Sequence, residues 1–175
     1  MAKYDVFINH RGVDTNRTVA RLLHDRLAQV TGGGVRSFLD TTSLRPGDRL
    51  DDDGIFAAIG ECRVGVAIFS PRYLESEGCL RELAALVEAR KTIVPVFVDV
   101  EPSELALPPA VAEDHLPGDV ERFRLALREA KCTFGLCFDS ATGDLAELVS
   151  EAANAVLERI DEEVQQTPRM IVSRL

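Results

Sequence analysis

The sequence lacks an apolar run of the ~18 residues that a membrane-spanning helix needs. It also lacks the leading apolar segment of a signal peptide, because Met1-Ala2-Lys3-Tyr4-Asp5 passes almost at once into a predicted strand. The cysteines are Cys62, Cys79, Cys132 and Cys137. They form neither a Cys-x-x-Cys pair nor a zinc ribbon, and they are too few for a disulfide scaffold. We therefore expect free thiols, no metal, no membrane contact, and a cytoplasmic location, with the nucleus as an alternative.

An excess of positive charge is absent as well. The chain has 20 Lys and Arg residues against 29 Asp and Glu, which gives a net charge of -9 and a pI near 4.9. This charge repels phosphate backbones, so nucleic acid is not an expected partner, although a local basic cluster could still bind a small phosphate ligand. A length of 175 residues, 46% of them hydrophobic and 28% charged, predicts one soluble domain with a packed core.

Apolar runs of strand length alternate with helical patterns along the chain. The predicted strands are Tyr4–Asn9, Val35–Leu39, Val64–Ser70, Thr92–Val100 and Thr133–Phe138. The runs after residues 64 and 92 are continuously apolar, as in parallel strands that helices cover on both faces. Because crossovers are right-handed, we predict an α/β fold, a flavodoxin-like three-layer sandwich whose five-stranded parallel sheet has the order 2-1-3-4-5. Pro95 lacks an N–H group and is expected near a sheet edge or at the start of its strand.

The helices are predicted from apolar residues at helical spacing. The first is expected to be capped by Thr15 or Asn16 and to run to about Thr31. The following Gly32-Gly33-Gly34 indicates a helix terminator rather than a phosphate-binding loop, because it lies at the sheet edge opposite the usual ligand edge. Later helices are predicted at 118–131 and 143–163, so we expect one domain over 1–163 and a flexible tail over 164–175.

A ligand crevice is expected where the winding of the chain reverses, beside the ends of the first and third strands. The segments that leave the sheet there are Asn9-His10-Arg11-Gly12 and Ser70-Pro71-Arg72-Tyr73. Arg11 could bind phosphate oxygens, or it could form an ion pair with Asp14 or Asp40.

Three other residues of this crevice have alternative interpretations. Gly12 is expected to supply backbone freedom rather than a ligand contact. Ser70 could hydrogen-bond a ribose, or it could cap the helix that follows. Tyr73 could stack on a base, but packing into the core is favoured.

Four blocks of sequence resemble plant Toll/interleukin-1 receptor (TIR) domains. Tyr4 to Thr15 resembles Y-D-V-F-L-S-F-R-G-E-D-T, and the block from Phe38 to Asp48 resembles the second strand with its long loop. Phe69 to Leu83 resembles F-S-x-x-Y followed by W-C-L-x-E-L, and Ile93 to Ser103 resembles I-V-P-V-F-Y-D-V-D-P-S. The blocks occur in order over roughly 4–160, and the chain resembles a stand-alone TIR protein.

The resemblance implies an enzyme that cleaves NAD+ into nicotinamide and ADP-ribose or its cyclic variants, as immune or cell-death signals. NAD+ is then the substrate, and no cofactor is expected. The catalytic carboxylate of the family corresponds to Glu82, with His10 and Cys79 implied, like Arg11, as substrate-binding positions. His10 replaces a phenylalanine and is expected to stack on a ring as that residue would. Without the resemblance, Glu82 would be an ordinary solvated helix residue, since it lies off the apolar stripe of its helix.

The resemblance also implies a loop that gates the pocket and mediates assembly. Its residues here include Asp40, Leu44, Pro46 and Gly47. The Pro46-Gly47 turn could open and close, or it could be a static surface turn.

Two positions depart from the family pattern. Gly78 stands at the family tryptophan, so an aromatic wall is missing or comes from another chain. Arg21-Leu22 replaces a serine-histidine pair of a self-association surface, which puts that interface in doubt.

The leading functional hypothesis is an NAD+ glycohydrolase or cyclase activated by self-association into a homo-oligomer. The alternative is a non-catalytic adaptor that binds other TIR proteins through TIR–TIR contacts. A phosphate-responsive receiver of the same strand order would need an acidic cluster at the end of the first strand, where Asn9-His10-Arg11 stands instead.

Overall fold

A computed structural model describes residues 3–39 and 52–173. The strands are β1 (Val6–His10), β2 (Ser37–Phe38), β3 (Val64–Phe69), β4 (Thr92–Val98) and β5 (Leu136–Phe138). The helices are α1 (Gly12–Thr15), α2 (Arg21–Thr31), α3 (Asp52–Glu61), α4 (Glu77–Glu88), α5 (Pro109–Glu113), α6 (Pro117–Lys131) and α7 (Leu145–Ser173). A π-helical segment, Asn16–Ala20, joins α1 to α2, and 3-10 turns form at Tyr73–Glu75 and Pro102–Glu104.

The strands form one parallel sheet in the order β2-β1-β3-β4-β5, which confirms the predicted topology. β1 pairs with β3 over its whole length, from Val6 opposite Val64 to His10 opposite Ile68. The end of β1 therefore lies beside the end of β3, at the point where the winding of the chain reverses.

Helices cover both faces of the sheet. Successive apolar side chains along each strand point to opposite faces. Val64, Val66 and Ile68 of β3 pack into a core with α2 and α7. Ala67 and Phe69, which point to the other face, pack with α4 and α6. Because both faces of β3 are covered by helices, neither face carries polar residues. The arrangement confirms the three-layer sandwich. No described helix is both long and apolar enough to span a membrane.

The prediction for Pro95 was wrong. Pro95 lies in the middle of β4, opposite Ala67 of the central strand β3. On the other side of β4 the pairing begins only at Val96 opposite Leu136. A Cβ on Gly135 would lie 2.3 Å from the Pro95 carbonyl oxygen, so the chain just before β5 passes directly over the proline. Pro95 is tolerated because the β4–β5 ladder has not yet started at its position.

Helix ends differ from the sequence expectations in two places. The first helical region begins at Gly12, and Thr15 makes no capping hydrogen bond there. The final helix continues to Ser173 instead of ending near Glu163, so the predicted tail is helical over most of its length. The glycine terminator is confirmed, because α2 ends with Gly32 and Gly33 at φ values of 59° and 83°. All four cysteines are free thiols, as predicted.

Candidate active site at the ends of β1 and β3

The predicted crevice contains a cluster of polar side chains, most of which are buried. Asn9, Thr15 and Ser70 are at most 3% exposed, and they come from the end of β1, from α1 and from the end of β3. Buried polar groups need hydrogen-bond partners, so their contacts define the site.

Glu82 reaches this cluster from α4. Asn9 donates from its Nδ2 to the Glu82 Oε1 at 3.1 Å and to the carbonyl oxygen of Cys79 at 3.1 Å. Ser76 caps α4, because its Oγ accepts from the backbone N–H of Cys79 at 3.2 Å. The cap fixes the start of α4, and the second turn of the helix then presents the partly buried Glu82 to the end of β1.

Tyr73 contacts the cluster from the core of the protein. Its ring is fully buried and packs edge-on against Phe69 with centroids 4.7 Å apart. Its hydroxyl donates to the Asn9 Oδ1 and lies 3.2 Å from the carbonyl oxygen of Cys79. Burial raises the pKa of Tyr73 well above its usual value, and the nearby Cys79 and Glu82 raise it further. The hydroxyl therefore remains a hydrogen-bond donor at neutral pH.

Arg11 and Ser70 share one carboxylate. The Arg11 Nη1 donates to the Asp14 Oδ1 at 2.8 Å, and the Ser70 Oγ donates to the Asp14 Oδ2 at 2.6 Å. Both charged side chains are 19% exposed, so the pair is only partly solvated. Asp14 thus ties α1 to the end of β3 and fixes the direction of Arg11.

His10 is a neutral histidine in this site. Burial lowers its pKa from 6.5 to about 4, and its Nδ1 lies 3.1 Å from the Thr15 Oγ1. The Thr15 hydroxyl also lies 3.3 Å from the Arg11 carbonyl oxygen. The imidazole is therefore an uncharged side chain that can contact a ligand ring without adding positive charge.

A family model for the TIR domain matches residues 3–170. The chain belongs to the TIR domain family. It is 62% identical to the probable 2′ cyclic ADP-D-ribose synthase BdTIR of Brachypodium distachyon, over 99% of this chain and 78% of that protein. It is 32% identical to the TMV resistance protein N of Nicotiana glutinosa, over 77% of this chain but only 13% of that protein.

Solved TIR structures agree with the sheet described above. The TIR domains of the activated Roq1 resistosome are 30% identical and superpose with a TM-score of 0.70, covering 90% of this chain and 99% of that one. The TIR domain of the Hydra magnipapillata receptor TRR-2 is 18% identical with a TM-score of 0.53, over 90% of this chain and 98% of that one, and shows the shared fold.

The TIR fold brings most of the predicted site residues together, and the roles of four of them can be compared with the sequence expectations. Ser70 caps no helix and instead donates to Asp14. Tyr73 packs into the core, as favoured, and its hydroxyl contacts Asn9. Cys79 is buried and takes part through its backbone carbonyl. Gly12 has no positive φ, so backbone freedom does not explain it, and a Cβ there would meet no atom within 4 Å.

Two further predictions concern the rim of the TIR site. Gly78 is exposed, and a Cβ there would meet only the Ser76 Oγ, at 3.9 Å, so the described residues fill little of the space at the family tryptophan position. The gating-loop residues Asp40, Leu44, Pro46 and Gly47 lie outside the described residues.

Among the residues that the structure does describe, no group of three or more acidic, histidine or cysteine side chains could hold a metal ion.

The ion pair of Arg11 with Asp14 was one of the sequence alternatives, but the contacts of Asn9 and of Asp14 with distant residues were missed. Both were visible as polar residues at or just after the end of an apolar strand, which is where ligands bind in parallel α/β sheets. Their partners come from 56 to 73 positions further along the chain, and no local pattern identifies such partners.

Proposed function

We propose that this TIR domain protein cleaves NAD+, releasing nicotinamide and forming ADP-ribose or a cyclic ADP-ribose as a signal. The supporting relative is the Brachypodium protein named as a probable 2′ cyclic ADP-D-ribose synthase, which is 62% identical over 99% of this chain. A cyclic ADP-ribose retains the two phosphates and two riboses of NAD+ and lacks its nicotinamide. The reaction class is therefore loss of nicotinamide followed by ring closure at a 2′ position, or by attack of water.

The observation on which this proposal rests is the placement of Glu82. Its carboxylate is held by a buried amide at the switch point of the sheet, where α/β proteins bind nucleotides. When the bond between nicotinamide and ribose breaks, its electron pair leaves with the nicotinamide and the ribose carbon becomes positively charged. A fixed carboxylate beside that carbon stabilises the charge as it develops.

One carboxylate is sufficient for this step. In NAD+ the nicotinamide ring is a pyridinium cation, and it departs from the ribose as a neutral molecule. No acid therefore has to protonate it. This differs from the oxygen leaving groups of ordinary glycosides, which use a pair of carboxyl groups. The attacking hydroxyl of the second ribose, or water, then forms the new bond to the ribose carbon and loses its proton, for which Glu82 is the acceptor in our proposal.

Arg11 is the proposed contact for the diphosphate. Its ion pair with Asp14 uses Nη1, and a guanidinium has five N–H donors in a planar fork. With 19% of its side chain exposed, the group remains partly accessible to a ligand. The proposed role of His10 is to contact a ring of the substrate in its neutral form.

Self-association is the proposed means of activation. One of the solved TIR structures that resemble this chain is that of the activated Roq1 resistosome, which is an assembly. In this chain α2 exposes Leu22 and Val30, which are 41% and 47% exposed. Leu22 also lines a cleft of about 510 Å³ between α2 and α7, together with Leu145 and Val149. Exposed apolar side chains beside a cleft fit a surface that a second TIR domain covers.

The test is nicotinamide release from NAD+ by the full chain over a wide range of protein concentration. We expect turnover to rise more than linearly with concentration and to fall by at least ~100-fold in Glu82→Ala. Glu88→Ala is the matched control, because Glu88 lies on the same helix and pairs with Arg122 at the surface. Turnover that persists in Glu82→Ala contradicts the role of Glu82.

Absence of turnover at every concentration, with binding to another TIR protein intact, contradicts the enzyme and favours the adaptor. Gly78 is the observation behind that alternative, because it leaves the substrate without the aromatic side chain of the family pattern.

A further inference from the structure

Asn9 is the most completely bonded polar side chain of the site. It is 0% exposed, and both of its polar atoms have partners. Its Nδ2 donates to the Cys79 carbonyl and to the Glu82 carboxylate, each at 3.1 Å, while its Oδ1 accepts from the Tyr73 hydroxyl. A carbonyl and a carboxylate can only accept, so the amide nitrogen must face them and the orientation of Asn9 is fixed by chemistry.

From this geometry we infer that Asn9, held by Tyr73, is a positioning residue that fixes the direction of the Glu82 carboxylate. The inference rests on the proposed function. Asn9 contacts Glu82 but is itself fully buried, so it is not expected to touch the substrate. Its amide is neutral, and it therefore orients the carboxylate without placing a positive charge beside it, as an arginine or lysine would.

The position of Asn9 is decided by its contacts with three elements that pack together. Asn9 is the fourth residue of β1 and is paired with Ala67 of β3 in the sheet. Tyr73 is wedged against Phe69 in the core, and Cys79 belongs to the first turn of α4. A carboxylate bonded to such a fixed donor has less freedom to rotate, and misplacement of a catalytic group by about 1 Å costs on the order of 100-fold in rate.

The same contacts explain why Tyr73 keeps a hydroxyl. Its ring would pack equally well as phenylalanine, since it is fully buried against Phe69. The hydroxyl is the only polar atom of the side chain, and it serves Asn9 and the Cys79 carbonyl. A buried hydroxyl that loses water needs such partners, and here they are the Asn9 amide, which contacts Glu82, and the Cys79 carbonyl, which also accepts from Asn9.

The experiment compares Asn9→Leu and Tyr73→Phe with the parent protein. Leucine branches at Cγ as asparagine does, and although it is larger it donates no hydrogen bond. We expect kcat for nicotinamide release to fall by about 10- to 100-fold in Asn9→Leu and by about 3- to 10-fold in Tyr73→Phe, with KM changed by less than about twofold. The double variant should be no slower than Asn9→Leu alone, because both substitutions release the same carboxylate.

Cys62→Ala is the control for a purely structural effect. Cys62 is 1% exposed and its thiol donates to the Ile59 carbonyl, but it lies just before β3 begins, at the opposite edge of the sheet. We expect this variant to lose stability while its kcat stays within about twofold. Parent-like kcat in a folded Tyr73→Phe and a folded Asn9→Leu, or additive effects in the double variant, would overturn the inference.

A second readout does not depend on activity. In the parent protein the Asn9 side-chain amide should give NMR signals protected from solvent exchange, and these signals should shift in Glu82→Ala and move little in Cys62→Ala. If the Asn9 signals have the same chemical shifts in Glu82→Ala as in the parent protein, the positioning role is overturned, whatever the measured turnover. A parent protein that releases no nicotinamide but shows the coupled signals contradicts the proposed function and leaves the contact established.

Discussion

His10 makes the stability of this protein depend on pH in a way that can be isolated. Burial lowers the pKa of His10 to about 4 in the folded protein, against 6.5 in the unfolded chain. Well above pH 6.5 the imidazole is neutral in both states and does not change the free energy of unfolding. As the pH falls below 6.5, the unfolded chain binds a proton that the folded protein does not bind until about pH 4, so stability is lost across this window.

The magnitude follows from the two pKa values. Between pH 7.5 and pH 5.5, His10 should lower the free energy of unfolding by about 1.3 kcal/mol. A folded-state pKa anywhere from about 3 to about 5 gives nearly the same figure, because at pH 5.5 the folded imidazole is then mostly neutral. The lower pH also stays above the pI of 4.9, where the protein retains negative charge.

The assay is urea denaturation of the parent and of His10→Phe at both pH values. Burial also lowers the pKa of His24, so the parent curve contains more than one contribution. The difference between the two proteins isolates His10, because phenylalanine does not titrate. We expect His10→Phe to lose about 1.3 kcal/mol less than the parent between pH 7.5 and pH 5.5. Identical losses in the two proteins would refute a buried, neutral His10.

Three other substitutions test individual contacts of the fold and of the site. Gly135→Ala should lower the free energy of unfolding by about 2 kcal/mol in urea denaturation, since its methyl group would meet the Pro95 carbonyl oxygen at 2.3 Å. Gly60→Ala, on an open helix surface, is the matched control and should not destabilise. Ser76→Ala should cost about 1 kcal/mol in thermal unfolding through loss of the α4 cap, and no change would exclude that cap. Asp14→Asn should cost about 1–3 kcal/mol because two charge-assisted hydrogen bonds weaken, and parent-like stability in urea would contradict them.

The fold was accessible from the sequence because each strand is a local signal. The β3 run is apolar at every position and is therefore buried on both faces, which predicts a parallel sheet with helices on either side. Right-handed crossovers then reduce the possible topologies to a few, and the observed order is one of them. The place of Pro95 was less predictable, because the point at which β4 begins to pair with β5 decides whether a missing N–H matters.

The candidate site was accessible only in part. The family motif identified Glu82, and the switch-point rule identified the neighbourhood of Arg11 and Ser70. The Asp14 partner of Arg11 was one of the sequence alternatives, but the partner of Ser70 was not accessible. Ser70 had two local roles available, a cap or a ligand contact, and the fold gave it a third.

The sequence by itself determined the approximate strands, the burial of β3 and β4 on both faces, the family and the residue types placed at the crevice. These properties depend on hydrophobic pattern and on neighbours within a few positions. The tertiary structure alone decided that Asn9 meets Glu82, 73 positions away, and that Ser70 meets Asp14 across 56 positions. It also decided that His10 is neutral, since the pKa of a side chain depends on how much water the fold leaves around it.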